Sequence, residues 1–141
     1  MNLPVTGEKM LELIPQRPPF VMVDSLLAVD ENSCETAFSI TEGNIFVQDG
    51  MFSEPGLIEN IAQSAAAMTG FDVISSGLHP KTGFIAAIKN LQIHKLPKSG
   101  QTIKTQVTII DHVLDFTLIA GKVYDNNDIF AECEMKIFIN N

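Results

Sequence analysis

The chain has no tryptophan and a single arginine, Arg17, among 141 residues. Nucleic-acid interfaces draw on basic and aromatic side chains, so this scarcity argues against a nucleic-acid partner. A formal net charge of −8 argues the same way. Only two cysteines occur, Cys34 and Cys133, too few for a disulfide scaffold, so a reduced, cytoplasmic setting is the expectation. The longest run without a formal charge is Asn60 to Phe71, 12 residues. A bilayer-spanning helix needs about 20 apolar residues, so no membrane span is expected. Glu8 and Glu12 sit where a secretory signal would be basic and then apolar. The three histidines and two cysteines show no H-x-x-x-H or C-x-x-C spacing, and no glycine-rich phosphate loop occurs. Neither a metal nor a nucleotide cofactor is therefore expected.

Against these absences stand 45% apolar and 18% charged residues, a folded composition. The length suits one domain spanning residues 1–141. A chain of this size buries roughly 68% of its unfolded surface, enough for a core without staples. The charge is unevenly spread. Val73 to Ile110 contains no acid but holds Lys81, Lys89, Lys95, Lys98 and Lys104. That segment carries +5 and the rest −13, which together give −8. Such a stretch is either an ordinary solvated face or a docking face for an acidic partner or anionic ligand.

Hydrophobic periodicity predicts a short helix over Glu8 to Ile14, then irregular backbone through Pro15, Pro18 and Pro19. Strands are predicted over Phe20 to Val29 and Ser33 to Ile40, followed by a long loop from Glu42 to Pro55. Gly56 to Thr69 is the one strong helix. Its apolar arc includes Leu57, Ile58, Ile61 and Ala65; Glu59, Asn60, Gln63 and Ser64 share the polar arc. Ala65, Ala66 and Ala67 are small enough for something to approach closely. Asp72 to Pro80 reads as helix exit and loop. Four strands follow, over Gly83 to His94, Thr102 to Ile110, Leu114 to Tyr124 and Ile129 to Ile139. Two strands, a central helix and four strands imply an α+β class with a curved antiparallel sheet around one helix, the outline of a hotdog fold. Exposed sheet edges in such a fold favour pairing with a second subunit.

Three motifs carry a resemblance. Leu13 to Asp24 reads LIPQRPPFVMVD, Glu59 to Ala66 reads ENIAQSAA, and Leu96 to Gly100 reads LPKSG. In this order they resemble the hotdog 3-hydroxyacyl-[acyl-carrier-protein] dehydratases, whose corresponding motifs are approximately L-x-P-H-R-x-P-F-L-L-V-D, E-A-x-A-Q-x-x-A and x-P-x-G-D. The chain is most similar to the variant of bacterial aryl polyene and flexirubin pigment pathways. Two positions depart from that pattern. Gln16 stands where the family usually has histidine, and Phe46 to Phe52 has no histidine where the family has G-H-F-P.

The resemblance implies dehydration of a 3-hydroxyacyl thioester, with Glu59 as an acid/base group. On the residues alone, spacing favours reading Glu59 as a first-turn acid stabilising the helix end, and it is the resemblance that reverses this. Partial burial on that arc would raise its pKa. Gly56, Asn60 and Gln63 are the candidate substrate-binding residues. Gln63, one turn beyond Glu59, could orient its carboxylate; Gly56 could offer helix-start N–H groups to a thioester carbonyl, or could simply be a flexible glycine after Pro55. For the missing partner the candidates are His94, at the end of a strand, and Asp49 in the loop, or a histidine from another subunit. His79 and His112 read as solvated turn residues. Cys34 and Cys133 read as strand core positions.

The leading expectation is a dehydratase acting on an acyl chain carried on phosphopantetheine, by acyl carrier protein or coenzyme A, in a homodimer or a hetero-oligomer of hotdogs. The lysine-bearing stretch would then border the tunnel mouth. A hotdog thioesterase, or a non-catalytic subunit paired with an active paralogue, are the alternatives.

Overall fold

Alternating strands and one long helix organise residues 1–79 and 82–139, the part of the chain that the computed structural model describes. The chain opens with β1 (Val5–Thr6) and a four-residue helix α1 (Glu8–Leu11). Strands β2 (Ser25–Val29) and β3 (Ser33–Ser39) form a hairpin. A small hairpin, β4 (Val47–Gln48) and β5 (Met51–Phe52), leads into α2 (Glu54–Ser75). Four strands complete the fold: β6 (Gly83–Ile93), β7 (Thr102–Val113), β8 (Phe116–Tyr124) and β9 (Ile129–Ile139). Seven strands form one sheet in the order β1-β2-β3-β7-β8-β9-β6, and its neighbours all pair antiparallel.

The sheet wraps α2, and alternation supplies the contact. Ile103 and Val107 on β7, Ile119 and Val123 on β8, and Met135 on β9 share one buried core with Leu57 and Ile61 of the helix. The approach is close enough that glycine is needed: a Cβ on Gly121 would lie 2.4 Å from Ile61 Cγ2. This is the hotdog architecture expected from the element order.

Several boundaries differ from those expected. The helix starts two residues early and runs on to Ser75, past Gly70. Gly70 is a packing residue here, not a helix stop, because a Cβ there would sit 2.2 Å from the Leu13 carbonyl oxygen. The true stop is Gly77, at φ 77°. Its N–H bonds to Ile74 O at 2.9 Å and that of Leu78 to Val73 O at 3.0 Å, a Schellman motif. The expected 42–55 loop contains the β4–β5 hairpin, turned at Asp49 and Gly50 with φ 53° and 77°. Two consecutive positive φ values suit the twist of a two-residue hairpin. Residues 20–24 lie outside the sheet, and β2 begins only at Ser25.

Those residues belong to a strap, residues 13–24, laid over α2. Arg17 organises its start, donating from Nη1 to the carbonyls of Leu11, Ile14 and Gln16 at 2.7–3.0 Å. The 96–100 segment is also docked: Phe52 N–H donates to Pro97 O at 2.8 Å and Ser99 N–H to Gly50 O at 2.9 Å. Among the described residues, no helix is long and apolar enough to cross a membrane.

Candidate active site

Beside α2 lies a cavity of about 310 Å³, at the lower end of the range for small-molecule sites. The helix contributes Glu59, Ala62, Ala65, Ala66 and Thr69, positions that recur at helical spacing. Alanines leave the room that larger side chains would fill. The sheet contributes Ile109 and His112 of β7, Thr117 and Ile119 of β8, and Ile137 of β9. Gly83 to Ile85 of β6 line one end, and Leu13, Pro15 and Gln16 of the strap close another side. The wall is mostly apolar, and Glu59 is its one carboxylate among the described residues.

Burial pushes the Glu59 carboxyl above its ordinary value, opposed by the Gln63 amide beside it. A carboxyl held protonated closer to neutral pH, in an apolar cavity, is suited to proton donation.

The other polar residues of the helix go elsewhere. Asn60 and Gln63 are fully buried, and their hydrogen-bonding groups are met by the protein itself. Asn60 Nδ2 donates to Met22 O at 2.7 Å, and Asn60 Oδ1 accepts from the Thr105 hydroxyl. Gln63 Nε2 donates to Phe20 O at 2.9 Å, while its Oε1 accepts from Met22 N–H at 2.7 Å. Ser64 Oγ donates to Asn60 O at 2.7 Å and lies 2.7 Å from Thr36 Oγ1. The polar arc therefore ties the strap and strands β3 and β7 to the helix. It does not open Asn60 to a ligand. Gly56 is similarly committed: its N–H bonds to Ser53 O at 3.0 Å. A Cβ on Gly56 would lie 2.6 Å from the Phe52 ring. The glycine is there for packing, and its N–H is not free for a thioester oxygen.

His94 is not brought to Glu59. Its Nε2 lies 3.0 Å from Glu132 Oε2. Glu132 projects from β9 between Ala131 and Cys133, whose side chains are buried. Alternation thus puts Glu132, and His94 with it, on the sheet face away from the core. Asp49 sits exposed in its hairpin turn, outside the cavity wall. Lys95 pairs with Asp128 at 3.2 Å, and none of the described lysines of the basic stretch lines the cavity. Lys81 lies outside the described residues. Both cysteines are buried free thiols. Burial pushes their pKa up, to about 12 for Cys34 and about 11 for Cys133, which suits core residues and not nucleophiles.

The residue that sequence reasoning missed is His112. It is exposed, as expected, but it is on a strand, not in a turn, and it lines the cavity. A β-bulge between Ile109 and Asp111 explains the miss. The alternation Ile103, Thr105, Val107, Ile109 points odd-numbered residues inward; the bulge shifts the phase, so that His112 pairs with Thr117 and faces the cavity. The sequence carries no sign of that bulge.

An antiparallel sheet wrapped around a long helix, with a helix carboxyl in an apolar cavity beside it, defines a hotdog protein. Residues 8–141 match the family model of ApeP-like proteins, described as ApeP dehydratase, and the chain belongs to that family. It is similar to 3-hydroxyacyl-[acyl-carrier-protein] dehydratase FabZ of Methylobacterium radiotolerans, 25% identical over 94% of this chain and 87% of that one. The same enzyme of Rickettsia bellii is 26% identical over 99% and 97%. Among solved structures, "The Dehydratase Heterocomplex ApeI:P from Xenorhabdus doucetiae" superposes with a TM-score of 0.86 at 15% identity, covering 100% of this chain and 93% of that chain.

Proposed function

We propose that this protein removes water from a 3-hydroxyacyl thioester carried on phosphopantetheine, most naturally that of an acyl carrier protein in fatty-acid or polyene-type biosynthesis. The observation that carries this reading is the Glu59 carboxyl, raised by burial, in an otherwise apolar cavity beside α2. The acyl chain would lie along Ala62, Ala65 and Ala66 with its C3 hydroxyl at Glu59. The C2 proton is lost to solvent water, and the electrons of the C2–H bond form the C2=C3 bond. The C3–O bond breaks as the oxygen takes the carboxyl proton and leaves as water. The direct test supplies a 3-hydroxyacyl carrier-protein thioester and follows enoyl thioester by mass and ultraviolet absorbance. Glu59→Gln should lower turnover by about 10²- to 10⁴-fold, the usual worth of a proton-transfer group. Undiminished turnover would refute the role, and release of free thiol without enoyl product would favour a thioesterase.

The working unit is a pair of hotdogs. Among the described residues, strand β6 is paired on one side only, by β9. Phe84 is 52% exposed, and Ile85, Ile88 and Leu91 are exposed with it. An unpaired apolar edge of this kind favours strand addition from a second subunit, identical or a paralogue. Sedimentation of the purified chain, alone and with a co-expressed hotdog paralogue, distinguishes the two.

A further inference from the structure

We propose that Gln16 is a specificity-determining residue of this cavity, its side-chain oxygen accepting a hydrogen bond from a hydroxyl that the acyl chain carries well beyond C3. This rests on the acyl-thioester reading above and adds to it the chemistry of the chain's far end. Gln16 Oε1 is buried and has no hydrogen-bond partner among the described residues, and Gln16 lines the cavity. Buried polar atoms are nearly always paired, because taking an acceptor out of water without a new partner is costly. Other polar side chains of the same wall already have partners. The Thr69 hydroxyl donates to Ala65 O at 3.3 Å, and His112 Nδ1 lies 3.2 Å from Thr117 Oγ1. Gln16 Oε1 is left to a donor that a ligand brings.

Its place along the cavity selects that donor. The strap runs antiparallel to α2: Leu13 O packs against Gly70, while Phe20 O and Met22 O are bonded by Gln63 and Asn60. Gln16 belongs to the Leu13 end. Arg17 Nη1 gathers the carbonyls of Leu11, Ile14 and Gln16 within 2.7–3.0 Å, and Leu13 and Pro15 line the cavity beside Gln16. Gly70 lies three turns of helix beyond Glu59, about 16 Å along the axis. A chain with its 3-hydroxyl at Glu59, running past Ala62 and Ala66, therefore meets Gln16 with its tail and not with its reacting carbons. The alanines between suit an apolar stretch of chain, and the amide oxygen suits a hydroxyl at its end.

The test measures binding, so it does not depend on turnover. Amide analogues of 3-hydroxyacyl pantetheine, all of one chain length, are made with an unsubstituted tail or with one further hydroxyl. That hydroxyl is moved one carbon at a time from the middle of the chain to its end. Each is titrated by calorimetry into the wild-type protein, in whichever homomeric or paired form is isolated, and into Gln16→Met. Methionine keeps the length of the side chain and removes the acceptor. Wild type should bind one hydroxyl position about tenfold more tightly than the positions on either side, the scale of one buried hydrogen bond. Gln16→Met should erase that maximum, bind the unsubstituted analogue at least as well, and unfold at an equal or higher denaturant midpoint, because an unmet acceptor is gone. A flat profile in wild type, as a water held by Gln16 would give, or a maximum that survives in Gln16→Met, would overturn the assignment. If the unsubstituted analogue binds and its thioester is dehydrated while the profile stays flat, the Gln16 role falls and the dehydratase reading stands. If no analogue binds, the acyl-thioester reading falls and the Gln16 role with it.

Discussion

Gln63 and Met22 are joined across 41 residues of sequence by a buried hydrogen bond, Met22 N–H to Gln63 Oε1 at 2.7 Å. The other half of the same amide holds Phe20 O at 2.9 Å. Two motifs that look independent in the sequence, the LIPQRPPFVMVD segment and the ENIAQSAA helix, are therefore one structural unit. The amide seats the strap on α2, and the strap in turn forms one wall of the cavity through Leu13, Pro15 and Gln16.

Gln63→Ala should accordingly damage the fold before the chemistry. The Met22 N–H alone, buried and left without a partner, would cost about 1–3 kcal/mol. Denaturant midpoints measure the loss, and hydrogen exchange at Met22 should accelerate more than exchange in β8.

Gly70→Ala tests the same contact from the other side. The new Cβ would lie 2.2 Å from the Leu13 carbonyl oxygen, and backbone cannot step aside as a flexible side chain can. The expected cost is about 1–3 kcal/mol, read as a lower Tm despite alanine's better helix propensity.

The pH dependence of stability has a definite sign. Burial raises the folded-state pKa of Glu59, and of Asp24 as well, against the lowering effect of the Ser39 N–H on Asp24. Between the ordinary carboxylate value and the raised one, the folded state binds more protons than the unfolded state. Stability therefore falls as pH rises through that window. Glu59→Gln should flatten part of this fall and leave the Asp24 part, as measured by unfolding midpoints across acidic to neutral pH. Where Glu59 donates the proton to the departing hydroxyl, kcat/KM should also fall as pH rises past its raised value.

His94→Asn should leave turnover within about twofold of wild type, the scale of an exposed substitution. The His94–Glu132 pair is exposed, with side chains 43% and 41% accessible, so stability should change by less than about 1 kcal/mol. A large loss of turnover would mean that this outer face contributes to the reaction.

Local pattern was enough for the longer strands, the central helix and the fold class, because period-2 and period-3.6 burial are written directly into residue order; Glu59 as a candidate rested on the resemblance of its motif. Wherever a non-local contact set the outcome, local pattern misled. The helix was expected only to Thr69, yet it runs on through Gly70, whose packing partner, Leu13 O, is 57 positions away in sequence. Asn60 and Gln63 looked available because their partners, Met22, Phe20 and Thr105, come from other elements. Sheet geometry placed the two histidines: strand alternation sends His94 to the outer face with Glu132, and a bulge in β7 puts the exposed His112 on the cavity wall. The sequence by itself determined which residues could do chemistry and which segments would pair. Only the tertiary structure decided which of them meet, because a polar group's role depends on the partners that packing brings to it.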